Sequence, residues 1–354
     1  MIYDKIAVIE GGIFMNNLWS IYHQDMPDFL IPFIKAKAMQ RLKHIGMNCG
    51  CEYTSFPFYH QIAGYSRYDH SIGVALIIWH FTVALIIWHF TEDMAQTIAG
   101  LLHDIATPVF AHVIDFLNND HLNQESTEHL TEAVIIESKE LMTLLQKYNI
   151  KLEDVKDYHV YSIADNNTPQ LSADRLEYTL GNLLNYNFST IDEIKTFYHD
   201  ICVGYNEYGL KELLFQTPEV LKQFSYSMLK TSKSYVSDED RFSMQLLAEI
   251  LRYALSERVL TITDLYADEP YVIKKLCADS LCAKKWEQFT ATCQIKRSII
   301  HPEKGIWFKV DAKKRYIDGL CSCGERASKL FPDFNCSLEK FLHTDFSYWV
   351  GVPE

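Results

Sequence analysis

Residues 74–91 read VALIIWHFTVALIIWHFT, so the same nine residues stand twice in a row without a single Asp, Glu, Lys or Arg. A membrane-spanning helix needs about 20 consecutive apolar residues, and this stretch approaches that length only because of the copy. It also contains His80 and His89 and lacks the flanking basic residues that accompany spans. The units of repeat proteins are longer, with periods that start at about 20 residues. We therefore expect neither a membrane span nor a repeat fold, and we interpret both histidines as ordinary helix residues.

The copy has a consequence for the faces of a helix. Nine residues rotate an α-helix by about 900°, which is a half-turn in net terms. The second copy therefore turns its apolar stripe to the opposite side, and one helix through both copies would be apolar all round. Such a helix suits a buried segment, a self-associating segment, or a local duplication that the fold must accommodate. A homo-oligomer is thus one outcome that the stretch allows.

The rest of the chain is dominated by apolar residues at three- and four-residue spacing, which predicts α-helices. The clearest helical segments are 27–46, 94–106, 131–150, 171–186 and 239–260. Only KIAVIE (5–10) and GIWFKVDAKKRYIDGL (305–320) resemble strands, and no Gly/Ser- or Pro-rich linker divides the chain. We predict an all-α fold. It comprises a domain over 1–284, with a motif-bearing core over 27–190, and a C-terminal extension over 285–354 that packs on this domain and allows a short β-hairpin.

The net charge of −13 and the nine cysteines restrict the classes of function and location. Nucleic-acid backbones select basic surfaces, so we expect no extended nucleic acid as a partner. A small phosphate compound can still bind an acidic protein through a local cluster of Arg, Lys and metal. Scattered cysteines in odd number are typical of reduced thiols, and the N-terminus lacks the apolar core of a signal peptide, so we predict a cytoplasmic protein. The pairs Cys49/Cys51 and Cys321/Cys323 are spaced more closely than usual zinc ligands, and we interpret them as ordinary thiols.

Histidine and aspartate residues flank the copied stretch and recur after it. YSRYDHSIG before it contains His70, IAGLLHDIA after it contains His103 and Asp104, and LSADRLEYTL contains Asp174. Imidazole and carboxylate groups are the usual ligands of catalytic divalent metals, and four of them leave open positions for water and a phosphate oxygen. Burial of a His-Asp pair also destabilises the fold unless a metal ion or a hydrogen-bonding group pairs with it. A lone His-Asp dipeptide is common, but the order His, His-Asp, Asp within helical sequence is far more specific.

Four segments carry a resemblance to a known family: AMQRLKHIG, YSRYDHSIGVA, IAGLLHDIATPVFAHVID and LSADRLEYTL. The chain resembles the HD superfamily of metal-dependent phosphohydrolases, and within it the branch of the bacterial dNTP triphosphohydrolases and the sterile-alpha-motif/HD dNTPase. The resemblance covers residues 27–190. It implies an all-α HD fold with one divalent ion, Mn, Fe, Ni, Zn or Mg, held by His70, His103, Asp104 and Asp174. It also implies hydrolysis of a small phosphorylated substrate, a nucleotide or another phosphoester.

The resemblance further implies three catalytic residues. His112 matches a histidine in the substrate pocket of the family. Asp115 and His129 match residues near the leaving group or the attacking water. A histidine near the scissile phosphate acts as a general acid or holds a water.

Four more residues match positions that contact substrate in the family. Arg67 matches an arginine that contacts substrate phosphate, and Arg175 falls where a second basic phosphate contact is expected. Tyr178 falls where an aromatic residue lies against the sugar, and Arg41 is raised to a residue of the site wall. Arginine suits these positions because its planar guanidinium makes bidentate contacts with phosphate.

The sequence departs from the dNTPase pattern within HDIATPVFAH. Thr107 stands where that branch has a second histidine that contributes to phosphate hydrolysis, and Met47 stands where it has a glutamine that reads the sugar. These departures and the copied stretch leave open a non-catalytic nucleotide-binding or regulatory module on the same fold. Five basic residues outside the matched segments are expected to be solvated charges: Lys284, Lys285, Lys313, Lys314 and Arg315.

The copied stretch lies between His70 and His103, which must meet if both bind one ion. With one copy removed, the interval forms two helices of about a dozen residues, each about 18 Å long, which fold back antiparallel with both ligands at one end. The second copy adds about 13 Å of helix to one arm. We therefore predict that the added length is accommodated away from the metal.

Overall fold

A computed structural model describes residues 13–83, 90–122 and 130–354. The strand predicted over 5–10 lies outside the described residues, as do His89 and His129. The fold is mainly α-helical, as predicted, with small antiparallel sheets. The helices of the described residues are α1 Ile13–Tyr22, α2 Leu30–Lys35, α3 Lys37–Arg41, α4 Arg67–Val83, α5 Phe90–Leu102, α6 Val113–Leu117, α7 Thr131–Glu137, α8 Lys139–Lys147, α9 Ala173–Asn185, α10 Ile191–His199, α11 Pro218–Ser234, α12 Asp238–Ser256, α13 Glu269–Ala278, α14 Ser280–Ala291, α15 Ala327–Leu330 and α16 Pro332–Leu342. The strands are β1 Ile201–Tyr205, β2 Lys211–Phe215, β3 Lys296–Ser298, β4 Ile306–Phe308 and β5 Trp349–Val352.

Helices α4 and α5 form the hairpin on which the candidate site is built. His70 in the first turn of α4 and His103 just after α5 face each other, with 5.1 Å between their ring centroids, so the two helices run antiparallel. Gly100 allows them to approach closely, because a Cβ atom there would lie 2.2 Å from Cδ1 of Ile78. The prediction of an antiparallel pair with both ligands at one end agrees with this arrangement.

The first copy of the repeated stretch, residues 74–82, lies within α4 and is enclosed on all sides. Val74, Ala75, Leu76, Ile77 and Ile78 are at most 1% exposed, as a helix that is apolar all round requires. The second copy starts thirteen residues after His70, which is about 20 Å along the helix axis. The added length therefore joins α4 at the end opposite the predicted ligands.

Two of the predicted helices are interrupted where the backbone extends for one residue. Segment 27–46 divides into α2, α3 and a 3-10 helix, with Ala36 at ψ 139° between the first two. Segment 131–150 divides at Ser138, whose side chain accepts a hydrogen bond from the Leu141 N–H and caps α8. Apolar periodicity predicted the helical state of these segments but not the points where they turn.

The strands differ from the prediction in number and pairing. Strands β1 and β2 form an antiparallel hairpin that was not predicted, closed by a turn in which the Gly209 N–H donates to the Asn206 carbonyl. Within 305–320 only β4 is a strand, and 309–319 is irregular. Strand β4 pairs with β5 at the C-terminal end, and β5 is the centre of the sheet β3-β5-β4. The sheet therefore depends on residues about 40 positions farther along, which local patterning does not reveal.

The C-terminal residues contact the rest of the chain through buried polar groups. Arg326 Nη1 lies 2.7 Å from Glu212 Oε1 of β2, and the Phe215 N–H donates to the Leu320 carbonyl at 2.9 Å. The domain division at 284/285 stays a prediction. All nine cysteines are free thiols. In the described part of the chain, no helix combines the length and the apolar character needed to cross a bilayer.

Candidate metal centre

The four predicted ligands come together in one cluster. The Nε2 atom of His70 lies 3.0 Å from Asp174 Oδ1 and 3.9 Å from Asp104 Oδ2. The Nε2 atom of His103 lies 3.6 Å from each of the same two carboxylate oxygens. Ligands bound at about 2.0–2.2 Å to one ion lie about 3–3.5 Å from one another, so these separations suit a single divalent ion. Within the described residues, His70, His103 and Asp104 form the group whose donor atoms could hold a metal.

Each predicted ligand lies at a helix end, and capping side chains start two of these helices. Ser66 and Asp69 cap the start of α4 reciprocally, since the Asp69 N–H donates to Ser66 Oγ and Asp69 Oδ2 accepts from the Ser66 N–H. His70 follows one residue later. Ser172 Oγ accepts from the Arg175 N–H and starts α9, which puts Asp174 in its first turn. Three separate helix ends therefore converge, because His103 and its neighbour Asp104 directly follow α5.

The nitrogen of each histidine that faces away from the cluster has its own partner. The Nδ1 atom of His70 is hydrogen-bonded to Glu177 Oε2, which also accepts from the Tyr65 hydroxyl. The Nδ1 atom of His103 donates to the Gly100 carbonyl at 2.7 Å. Such contacts fix the ring orientation and direct Nε2 to a metal. Glu177 and Tyr65 were not singled out in the sequence, although Glu177 stands one helical turn after Asp174 and shares its face.

Asp104 is held by two donors from different elements. Arg67 Nη1 donates to its Oδ2 at 2.9 Å, and Thr107 Oγ1 donates to its Oδ1 at 2.8 Å. Burial alone would raise the pKa of Asp104, but the charge of Arg67 and then of His103 and His70 overcomes it and holds the pKa well below the usual value. Thr107, which replaces a histidine of the dNTPase pattern, thus orients a predicted metal ligand.

The donor set fits a divalent cation. Burial opposes charge at His70, yet its hydrogen bonds to Asp174 and Glu177 raise its pKa to about 10. The imidazole of His70 lies between the carboxylates of Asp174 and Glu177. These two negative charges favour a positive charge at His70 Nε2, which either a proton or a bound metal ion supplies. The His70 and His103 side chains are only 2% and 6% exposed, whereas Asp104 and Asp174 keep 14% and 18%. The carboxylates are accordingly the part of the cluster that a small ligand reaches from solvent.

His112 and Asp115, two of the predicted catalytic residues, form a pair beside the metal centre. His112 Nδ1 lies 3.0 Å from Asp115 Oδ2, and Nε2 lies 3.3 Å from Nη2 of Arg315. Desolvation lowers the pKa of His112, Asp115 opposes this, and the charges of Arg315 and Arg67 add to the lowering, to about 4. His112 is therefore a neutral imidazole at pH 7 and can accept a proton. His129, the third predicted catalytic residue, lies outside the described residues.

The contact with Arg315 corrects one prediction. Arg315 was expected to be a solvated charge, and it is partly buried against His112 instead. No local pattern predicts this contact, because KKRYID has the composition of an exposed basic turn and the contact spans 203 positions. Lys284 and Lys285 are exposed, as expected, and Lys313 is half-buried. Lys314 needs the same correction as Arg315, because it is half-buried and its Nζ donates to the Leu342 and Thr344 carbonyls at 2.6 and 2.8 Å.

Two other predicted substrate residues, Arg175 and Tyr178, lie on α9, the helix that carries Asp174. Arg175 Nη1 lies 3.2 Å from Asp165 Oδ1 and donates to Asn166 Oδ1 at 2.6 Å, and the ring of Tyr178 packs against that of Tyr235. These positions are compatible with the predicted contacts, which stay predictions.

Arg41, predicted to be a residue of the site wall, binds three backbone carbonyls. Its guanidinium donates to the carbonyls of Ile105, Thr107 and Ala267 at 2.9, 2.8 and 3.0 Å. Arg41 thereby braces the turn that follows Asp104, and direct contact with substrate stays a prediction.

The chain has relatives of known name. It is 24% identical over 157 residues to the metal-dependent phosphohydrolase cns2 of Cordyceps militaris, spanning 44% of this chain and 41% of the relative. It is 31% identical over 102 residues to the deoxynucleoside triphosphate triphosphohydrolase SAMHD1 homolog of Dictyostelium discoideum, spanning 26% and 18%. It is 26% identical over 252 residues to the uncharacterized protein YdhJ of Bacillus subtilis, spanning 71% of both. The resemblance to HD-type phosphohydrolases is confirmed.

Solved structures support the same fold. A phosphohydrolase from Bacteroides thetaiotaomicron superimposes with a TM-score of 0.63 at 14% identity, covering 93% of this chain and 97% of that one. A hypothetical protein from Aquifex aeolicus gives a TM-score of 0.61 at 17% identity, covering 93% of each chain. No protein-family model matches the chain.

Proposed function

We propose that this protein is a metal-dependent phosphohydrolase that acts on a nucleotide or another small phosphoester. One observation carries the proposal: His70, His103, Asp104 and Asp174 place their donor atoms within 3.0–3.9 Å of one another at the contacts given above. The names of the two phosphohydrolase relatives support the same class of reaction. A cytoplasmic location stays our prediction.

The protein's own residues have distinct tasks in this proposal. When bound, the divalent ion activates a water and offsets negative charge at phosphorus. Arg67 binds a phosphate oxygen, since its Nε atom is buried without a hydrogen-bond partner among the described residues while Nη1 holds Asp104. Arg175 is the second phosphate contact. His112, neutral and oriented by Asp115, accepts a proton from the attacking water.

The test compares the purified protein with an Asp104→Ala variant. We expect the wild type to retain a divalent ion in elemental analysis and to release phosphate, pyrophosphate or triphosphate from a nucleotide panel with added Mn or Ni. The variant should retain neither property. Equal metal content in both proteins would remove the proposed centre.

A non-catalytic nucleotide-binding module on the same fold is the second candidate. Thr107 favours it, because the position that holds a histidine in the dNTPase pattern is here occupied by a hydroxyl that binds Asp104. Nucleotide binding without hydrolysis at any metal in the same panel would select this candidate.

A further inference from the structure

A segment near the C-terminus, residues 309–319, contacts His112 through Arg315 and is anchored near both of its ends. At one end, Arg241 Nη1 donates to the Val310 carbonyl. At the other end, the Asp318 N–H donates to the Pro169 carbonyl at 2.9 Å, in the loop that leads to Asp174. Ile317 is 1% exposed and packs into the core. The segment is irregular yet fixed, so the side chains between its anchors have defined positions.

Arg315 lies in this segment and contacts His112. Its Nη2 lies 3.3 Å from His112 Nε2, and His112 Nδ1 lies 3.0 Å from Asp115 Oδ2. A guanidinium can only donate and an ionised carboxylate can only accept, which assigns the tautomer of His112. The imidazole donates from Nδ1 to Asp115 and accepts at Nε2 from Arg315.

The charge of Arg315 reaches other groups of the same site. It acts on the hydroxyls of Tyr178 and Tyr235, as well as on His112. The charge of Arg67 also lowers the pKa of His112, so cations from two distant parts of the chain act on this imidazole. Two arginines beside a neutral histidine and a cluster of metal ligands form a site for a dianionic phosphate rather than for a neutral ligand.

We propose that Arg315 is a substrate-phosphate contact supplied by the C-terminal segment, and that it leaves His112 Nε2 when phosphate binds. This inference rests on the proposed function. An ionised phosphate oxygen is a stronger acceptor for a guanidinium than a neutral imidazole nitrogen, because the hydrogen bond joins opposite charges. His112 Nε2 then becomes available to the attacking water. The same movement thus couples substrate binding to the availability of the proton acceptor.

The experiment measures binding of inorganic triphosphate to the metal-loaded full-length protein by calorimetry. A charge-assisted contact to phosphate contributes enough that Arg315→Gln should bind about 10- to 100-fold more weakly. Arg315→Lys keeps the charge and should recover part of the loss. Lys309→Gln is the matched control, because it removes an exposed charge from the same segment, and it should bind as the wild type does.

A spectroscopic readout separates this role from a structural one. On addition of triphosphate, the ¹⁵N resonance of His112 Nε2 should shift in the wild type, since its donor leaves. In Arg315→Lys the starting position should already differ and the shift should shrink. A purely structural Arg315 would lower the melting temperature of its variants without changing the affinity for triphosphate.

The outcomes for Arg315 and for hydrolysis are separable. If Arg315→Gln, or Arg315→Lys where the former does not fold, binds triphosphate within twofold of the wild type and keeps its KM, the inference fails while the phosphohydrolase stands. If triphosphate binding depends on Arg315 but no nucleotide is hydrolysed, the inference stands and the phosphohydrolase fails. A wild type that neither binds nor hydrolyses overturns both.

Discussion

The metal centre can be compared with a second acid group, formed by Glu52, Asp240 and Glu269. Both regions enclose carboxylates in protein, but their neighbours differ. At the metal centre, the hydrogen bond and charge of His70 overcome burial and lower the pKa of Asp174 to about 2. In the second acid group, burial raises the pKa of Glu52 to about 8 and that of Asp240 to about 7.

The donors explain the difference. The partners of the second acid group are neutral: Tyr53 donates to Glu269 Oε2 at 2.7 Å, and Tyr59 donates to Asp240 Oδ1 at 3.2 Å. Glu269 Oε1 also accepts from the Gly46 N–H at 2.9 Å and thereby ties the start of α13 to the loop at Gly46. At the candidate metal centre, two imidazoles and an arginine keep the paired acids ionised. Elsewhere the same residue type serves as a hydrogen-bonded strut.

The largest expected effect comes from removing one carboxylate in each region. Asp174→Asn should lose the metal and all metal-dependent hydrolysis, because a charged ligand is replaced by a neutral one. Asp240→Asn should keep both. Elemental analysis and turnover of the two variants test the comparison, and equal metal loss from both would show that the regions are not distinct in function.

Substitution of the acids next to the ligands should have a smaller effect. Glu177→Gln removes the carboxylate behind His70 and should weaken metal affinity about 10- to 100-fold, the usual range for such partners. Glu269→Gln is the matched change in the second acid group and should leave the affinity unaltered. Competition with a chelator of known affinity measures both, and an unchanged Glu177→Gln would contradict the role given to this residue.

Hydroxyl groups sharpen the comparison further. Thr107→Val deletes one hydrogen bond to Asp104, worth about 1 kcal/mol, and should weaken metal binding about fivefold. Thr54→Val deletes a buried hydrogen bond to the Cys51 carbonyl near the second acid group. We expect the latter to lower the free energy of unfolding by a similar amount while metal affinity stays constant. The two values come from urea titration and chelator competition of the same preparations.

How much of the fold and of the candidate site could be predicted from the sequence depends on how far apart the interacting residues are along the chain. Helical periodicity predicted the main helices, since those signals lie within one element. The four predicted ligands were chosen because their order matches a family, and the fold brings them together although 104 positions separate His70 from Asp174. Arg315 was missed, since nothing local distinguishes it from a solvated charge.

Other misses had a readable signal. Glu177 lies on the same face of α9 as Asp174, about one turn later. A carboxylate that hydrogen-bonds the second nitrogen of a ligating histidine is a common arrangement. The turn between β1 and β2 reads NEYG, whose asparagine and glycine are typical of hairpins. The second acid group offered no such signal, because Glu52 and Glu269 are joined only by the tertiary fold.

Substitution of Glu52 in the second acid group should have the smallest effect on metal content, because it changes only how stability depends on pH. The folded-state pKa of Glu52 is raised to about 8. Glu52 therefore stabilises the folded state fully only at pH values below its unfolded-state pKa, and this contribution to the free energy of unfolding is lost as the pH rises through about 8. Glu52→Gln cannot ionise, so it should gain stability relative to wild type between pH 6 and pH 9, with no change in metal content. Urea denaturation at both pH values measures this, and parallel losses in the two proteins would refute the raised pKa.

The direction of the α4–α5 hairpin has a practical consequence. The two helices place the imidazoles of His70 and His103 at one end of the hairpin. Insertions or deletions at the other end therefore change the length of the hairpin without changing the predicted ligands. A change in the number of residues between Val83 and Phe90 is therefore expected to leave the spacing of the two imidazoles unchanged. For the same reason the connection between α4 and α5 is the place to graft an epitope or a fluorescent reporter without moving His70 and His103.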